Sequence, residues 1–181
     1  MLLKPWPHVD VATVVYPWRD VRAYVEVRLE EALAEFELAE KFLGEGLYRN
    51  AAGKAFQGWK AALAAAAALN RQILARRFSG RVKTRIGKVV ERADWVAAVM
   101  PTGLMRAVAQ ILEEVYGFEV VALTDVALNI HEFYYNGVDE AGLLSRYAAL
   151  DLAEADIRRL IREGKKFVER LKGDLQQRRG G

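Results

Sequence analysis

The chain has 181 residues, of which 52% are apolar and 28% charged, with no Cys and a formal net charge of +3. That length favours one domain, and that composition buries a sizeable core, which excludes disordered, collagen-like and low-complexity classes. The missing Cys excludes disulfide scaffolds, Cys-based zinc sites, iron–sulfur clusters and cysteine nucleophiles.

Three of the four prolines stand at positions 5, 7 and 17. Each fixes φ and biases its predecessor away from helix, so residues 1–19 are expected to form an extended arm whose Trp6, Tyr16 and Trp18 lie on the body or on a neighbouring subunit. Asp20 is a good N-cap, and Val21, Tyr24, Val25, Leu29, Ala32, Leu33, Phe36, Ala39 and Leu43 keep the spacing of one buried helical stripe. This first helix is expected to run to about Glu45 and a second, very rich in Ala, from about Tyr48 to Arg77, the two forming an antiparallel hairpin.

Ser79 and Gly80 read as a break, followed by a third helix over Arg81–Val99 that Pro101 stops. Thr102 is expected to cap a helix to about Tyr116, and another spans about Val120–Asn136 before Gly137. Asp139–Ala149 suggests a short helix, and Asp151 to Glu154 is a capping-box pattern opening a long helix to about Leu175. No alternating run supports a sheet. The fold class is therefore all-α, an up-and-down helical bundle over residues 20–175 with the arm before it and a frayed polar tail over 176–181.

No stretch reaches 18 uncharged apolar residues, and residues 1–20 lack a basic segment followed by an apolar block. A membrane partner and a signal peptide are not expected, and the cytoplasm is. Nine Asn and Gln, three Met and abundant Arg and Glu match the hyperthermophile preference for ion pairs over thermolabile side chains.

Charge is unevenly laid out. Residues 71–92 carry eight Lys or Arg against one acid, while residues 20–45 carry eight acids against three bases. Arg81, Lys83, Arg85, Lys88 and Arg92 therefore mark the candidate surface for nucleic acid. This segment has no interleaved aromatics, so binding there should be phosphate-driven and salt-sensitive.

Two His, two Ser and four Thr are a thin stock for nucleophilic or metal-assisted chemistry, and no metal-ligand spacing occurs. On the second helix Asn50, Lys54 and Gln57 share a face, with Lys60 near its edge. On the Val120–Asn136 helix, Asp125, Asn129, Glu132 and Asn136 form a polar stripe, while His131 sits at the core margin beside Thr124 and Tyr135. Lys54, Gln57, Lys60, Asn129, His131, Glu132 and Tyr135 are the candidate ligand-binding residues. A competing structural reading pairs Lys54 with Glu132, or Lys60 with an acid of helix one. For Asn129, His131 and Glu132 to act together, two aspects of one helix would have to serve one pocket. Gly53 and Gly58 are read as points of close helix contact.

The segment Ala39–Ala61, with Gly44, Tyr48, Gly53 and Trp59, resembles the HEPN helical domain and more narrowly the archaeal PaREP family; Asn129–Gly137 is similar to that group as well. The resemblance implies an up-and-down bundle that commonly dimerises. Some HEPN proteins are ribonucleases or toxin components, and others are non-catalytic partners of small nucleotidyltransferases. Their catalytic pattern is an Arg, four to six intervening residues and then a His. Upstream of His131 the corresponding positions hold Thr124, Asp125 and Val126, none of them basic.

The expected function is therefore a non-catalytic binding or assembly protein, a homodimer or larger, linked to a nucleotide or RNA in a toxin–antitoxin or defence setting, with no cofactor and no metal. The enzyme alternative is a metal-independent ribonuclease using His131 with an Arg from elsewhere, such as Arg146. A purely structural homo-oligomer is the third reading.

Overall fold

A computed structural model of the chain describes residues 15–85 and 87–178. Most of the N-terminal arm, Trp6 and His8 included, and the last three residues of the tail lie outside the described residues. The elements, in chain order, are α1 (Val21–Gly44), α2 (Tyr48–Leu69), α3 (Arg71–Arg77), β1 (Arg81–Lys83), β2 (Val89–Glu91), α4 (Arg92–Val99), a 3-10 turn (Thr102–Leu104), α5 (Met105–Tyr116), α6 (Glu119–Asn136) and α7 (Leu150–Gln177). The architecture is all-α, an assembly of packed helices with one small hairpin.

Helix α2 is the hub. It packs against α1, α4, α5, α6 and α7, and the run Ala61–Leu69 is buried throughout. A helix apolar on every face belongs at the centre of a fold, and Ala lets neighbours approach its backbone closely. The tightest point is Phe36 of α1, fully buried between Gly58 of α2 and Gly164 of α7. A Cβ on Gly58 would lie 2.8 Å from the Phe36 ring, and one on Gly164 would lie 2.4 Å from it. Both glycines are holes for one aromatic knob, and Gly58 is thus a contact residue as its sequence setting suggests.

Polar groups lock the neighbours of α2. The Trp59 indole N–H donates to Thr124 Oγ1 at 2.9 Å, and that hydroxyl donates to the Val120 carbonyl at 2.7 Å. Arg170 of α7 donates to the Val115 and Tyr116 carbonyls at the end of α5. Its guanidinium also lies 4.9 Å from the Tyr116 ring centroid.

Five expectations are corrected. The second helix does not reach Arg77 unbroken, because Asn70 ends α2, its side-chain amide donating to the Ala66 carbonyl and to the Tyr116 hydroxyl. No helix begins at Arg81: the chain makes an antiparallel hairpin with Arg81 opposite Glu91 and Val82 opposite Val90. Gly87, at φ 79°, supplies the turn that helix geometry forbids, and α4 starts only at Arg92. Thr102 makes no side-chain cap: it is the first residue of the 3-10 turn, and Leu104 stands at the N-cap of α5. Residues 139–149 form no helix, since the Asp139 carboxylate accepts from the N–H groups of Ala141, Leu143 and Leu144. Those amides are thereby taken from helical pairing, and the carboxyl is held below its ordinary range by them, chiefly by Leu144. The capping box expected at Asp151 does not form, because α7 starts at Leu150 with Ala149 as its N-cap and no side-chain cap; past the other end of α7, Arg178 donates to the Leu69 carbonyl. Among the described residues no single helix is long and apolar enough to cross a membrane.

A methyl group added at Gly164 should cost about 1–3 kcal/mol by overpacking against Phe36. Gly173, on the same helix with nothing within 4 Å of its would-be Cβ, should instead gain up to about 1 kcal/mol as Ala. Denaturant melts of Gly164→Ala and Gly173→Ala test the opposite signs; equal shifts would contradict the knob-and-hole account.

Candidate functional site

Two helices build the candidate site. At the N-terminal half of α2, Gly53 lets the Tyr134 ring of α6 approach so closely that a Cβ there would lie 2.9 Å from it. Arg49 fastens the same contact by donating to the Tyr134 and Tyr135 carbonyls at 2.9 and 2.6 Å. These carbonyls are the orphan acceptors at the C-terminus of α6, where a cation is favoured. Gly53 is a contact residue and not part of a phosphate loop.

The approach leaves a cleft of about 330 Å³ lined by Asn50, Lys54, Phe56, Gln57, His131 and Tyr135, with Phe42 and Tyr134 at its walls. His131 stacks on Phe56 with ring centroids 4.0 Å apart and planes inclined by 19°. Tyr135, one turn further along α6, meets the His131 ring edge-on at 5.1 Å. Four of the seven expected ligand residues, Lys54, Gln57, His131 and Tyr135, are thus brought together.

His131 also borders a second cleft of about 610 Å³, lined as well by Arg106, Asp125, Asn129, Glu132 and Arg146. Asn129, His131 and Glu132 therefore do share one pocket, because that cleft wraps across both aspects of α6. Arg146 reaches it from the loop after α6 and pairs with Glu132, and Arg106 of α5 pairs with Asp125. Lys60 is the residue left apart: with Gln57 it borders a third, smaller recess beside Arg28 and Met100.

The ion pairs differ from both pairings expected from sequence. Lys54 lies 3.0 Å from a carboxylate oxygen of Glu35 on α1, and Glu132 is held by Arg146. Lys60 forms no ion pair among the described residues, although Glu31 is near enough to oppose the fall in its pKa that burial and Arg28 cause. Burial is also the first cause that lowers the His131 pKa, the positive charge of Lys60 the second, and Glu132 opposes them. His131 is accordingly neutral near pH 7, and its buried Nδ1 has no hydrogen-bond partner among the described residues. A neutral imidazole keeps one nitrogen as an acceptor and one as a donor.

Sequence reasoning missed Phe56 and Tyr134 as lining residues and Arg49 as their fastening, and it placed Asn50 on the Lys54 face without counting it as a ligand residue. Phe56 carries the spacing of a core residue and nothing marks it as a stacking partner. The aromatic run Phe133–Tyr135, with Tyr135 four residues after His131, is the signal that was available. Asp94 escaped notice too: it is 2% exposed and paired with Arg71 at 2.7 Å. Its burial raises the carboxyl pKa against the opposing pull of Arg71, and its work is to tie α3 to α4. No cluster of three or more metal-ligating side chains occurs among the described residues.

The family model of the archaeal PaREP1/PaREP8 family matches residues 27–158, from the first turns of α1 into α7. The chain belongs to that family. Both helices of the candidate cleft, α2 and α6, fall inside the matched span. No curated protein and no solved structure matches the chain.

The lowered His131 pKa makes a prediction about stability. The unfolded chain takes up the proton at the ordinary value of 6.5, the folded chain only below it, so this contribution is present above that value and is lost as pH falls toward the folded one. The melting temperature should fall as pH drops below the ordinary imidazole value of 6.5, and His131→Gln should remove part of that fall. A variant retaining the whole fall would show that His131 is not held neutral by the fold.

Proposed function

We propose that this PaREP1/PaREP8 protein is a non-catalytic binding protein whose α2–α6 cleft takes a nucleotide. The observation that carries this reading is the company kept in the 330 Å³ cleft: a His131–Phe56 stack with Tyr135 at its edge, two side-chain amides and the Lys54 ammonium. A nucleotide needs those parts, with π faces for the base, amides for its edge and a cation for the phosphate. The volume lies in the range of small-ligand sites. Glu35 engages Lys54 from one side, and an ammonium has three N–H donors, so the pair orients the cation while leaving donors for an anion. The HEPN-like resemblance points the same way, toward a nucleotide- or RNA-linked assembly with its own copies or with a nucleotidyltransferase-type partner.

Adenosine monophosphate is the probe. It should bind the full chain more tightly than adenosine or inorganic phosphate alone, since each supplies half the contacts. Tyr135 is 64% exposed, so Tyr135→Ala should leave the melting temperature nearly unchanged while weakening binding about tenfold, the scale of one lost base–aromatic contact. Absence of binding at about millimolar ligand, or wild-type affinity in both Tyr135→Ala and Lys54→Gln, would overturn the reading.

One observation favours a second reading, a metal-independent ribonuclease. Arg106 and Arg146 line the larger cleft together with His131. There a neutral imidazole could take a 2′-hydroxyl proton while a guanidinium stabilises the phosphorane. Each Arg is at present held by a carboxylate, which is why binding without cleavage is preferred. Loss of RNA cleavage in a folded His131→Ala protein would support this second reading; cleavage that survives the substitution would sink it.

A further inference from the structure

The β1–β2 hairpin and the residues around it form a groove of about 460 Å³ on another part of the surface, between the hairpin, α4 and the segment that leads into α1. Its walls are Tyr16, Trp18, Trp95, Val82 and Val99, and Lys83 and Arg85 line it as well. The basic segment 81–92 itself holds no aromatic residue. The fold supplies three, Tyr16 and Trp18 from more than sixty residues earlier and Trp95 from the helix that follows.

Tyr16 and Trp18 are already stacked, with centroids 4.5 Å apart and planes 13° from parallel. Such a pair holds its rings in the arrangement that a further flat ring extends. The Lys88 ammonium lies 5.9 Å from the Trp18 ring centroid, within cation–π range. The Trp18 indole N–H is buried and has no acceptor among the described residues, which leaves a donor unspent. Hydrogen bonds join the two ends of the hairpin turn: Thr84 N–H donates to the Lys88 carbonyl at 2.8 Å, and Lys88 N–H donates to Thr84 Oγ1 at 3.1 Å.

The charges there differ in how far they are spent. Arg81 is paired with Glu91 and Arg71 with Asp94. Lys83, Arg85 and Lys88 form no ion pair among the described residues, and all three are exposed.

We infer that this groove binds single-stranded nucleic acid, with bases stacking on Trp18, Tyr16 and Trp95 and phosphates meeting Lys83, Arg85 and Lys88. Unspent cations beside an aromatic groove are the two parts of a sequence-tolerant single-strand site. A duplex keeps its base faces stacked inside and cannot offer them to the groove. An acidic α1 face of a second copy would satisfy the cations but would leave the aromatic walls without a flat partner. Neither stacking nor phosphate contact uses the 2′-hydroxyl, so RNA and DNA strands are both admitted. The site is separate from the α2–α6 cleft and stands whether or not that cleft takes a nucleotide.

The test titrates the full chain with fluorescent oligouridine and oligothymidine of about 12 nucleotides, with an abasic strand of equal length and with a duplex. Both base-bearing strands should bind and quench Trp fluorescence, and the abasic strand and the duplex should bind about tenfold or more weakly. Trp18→Ala should lose about tenfold in affinity, and the surface variant Lys83→Gln/Lys88→Gln should flatten the dependence on salt by about 1.4 in log–log slope. The second variant touches no core residue, so it decides the matter even where the first lowers stability. No binding at about 50 mM salt, equal affinity for the abasic strand, or an unchanged salt slope would overturn the proposal. Salt-reversible self-association that Lys83→Gln/Lys88→Gln abolishes, with no strand bound, would overturn it as well and assign the groove to a second copy.

Discussion

The placement of Phe36 between Gly58 and Gly164 is the constraint on which the other contacts depend. Three helices meet at one ring, and two of them have no side chain at the meeting point. Close packing at protein interiors leaves little room to move such a knob, so the relative height of α1, α2 and α7 is set there. Once α2 is fixed, the exposed side of its N-terminal half faces α6 at the distance Gly53 permits, and the Lys54–Glu35 pair joins α2 to α1 across the adjoining surface. The cleft is therefore a product of helix spacing. Small residues set the distance, and the aromatic and polar groups fill what remains.

Electrostatics then divides the surface into groups that are spent and groups that are held ready. Glu132, Asp125 and Asp94 each have an Arg, and Arg49 and Arg170 cap helix ends with their guanidinium groups. Exposed pairs of this sort contribute little stability one at a time; their larger effect is to hold side chains in place. His131 stands between the two clefts with its charge suppressed by burial and by Lys60, a setting suited to hydrogen bonding with a ligand near neutral pH. The hairpin is arranged differently, with cations left over and aromatics gathered from both ends of the α1–α4 stretch.

Much of this was legible in the sequence because helix periodicity is a strong local signal. The stripe of α1, the Ala-rich α2, the end of α6 at Gly137 and the presence of a long final helix follow from spacing and punctuation, although that helix starts at Leu150 without the Asp151 cap. Lys54, Gln57, His131 and Tyr135 were legible as a set because wheel geometry places them on the faces that later meet. Three of the misread segments share a physical origin, competition by side chains or turns for backbone hydrogen-bonding groups. Gly87 with the Thr84 side chain outcompetes helix in the hairpin, Asp139 does so in the loop after α6, and Asn70 breaks the second helix. What no local pattern carries is the long-range pairing: Lys54 with Glu35, Phe56 under His131, and Trp18 beside a hairpin more than sixty residues away.

The central claim is that the helix spacing around α2 makes an aromatic cleft at His131 that receives a nucleotide. The most direct measurement follows the imidazole, phenyl and indole resonances of the full chain by NMR as adenosine monophosphate is added. The account predicts that the His131 and Phe56 ring signals shift together and saturate, with Trp59, sealed in the core, unmoved. Saturating shifts confined to the indole of Trp18, or His131 and Phe56 signals that stay in place throughout, would contradict it.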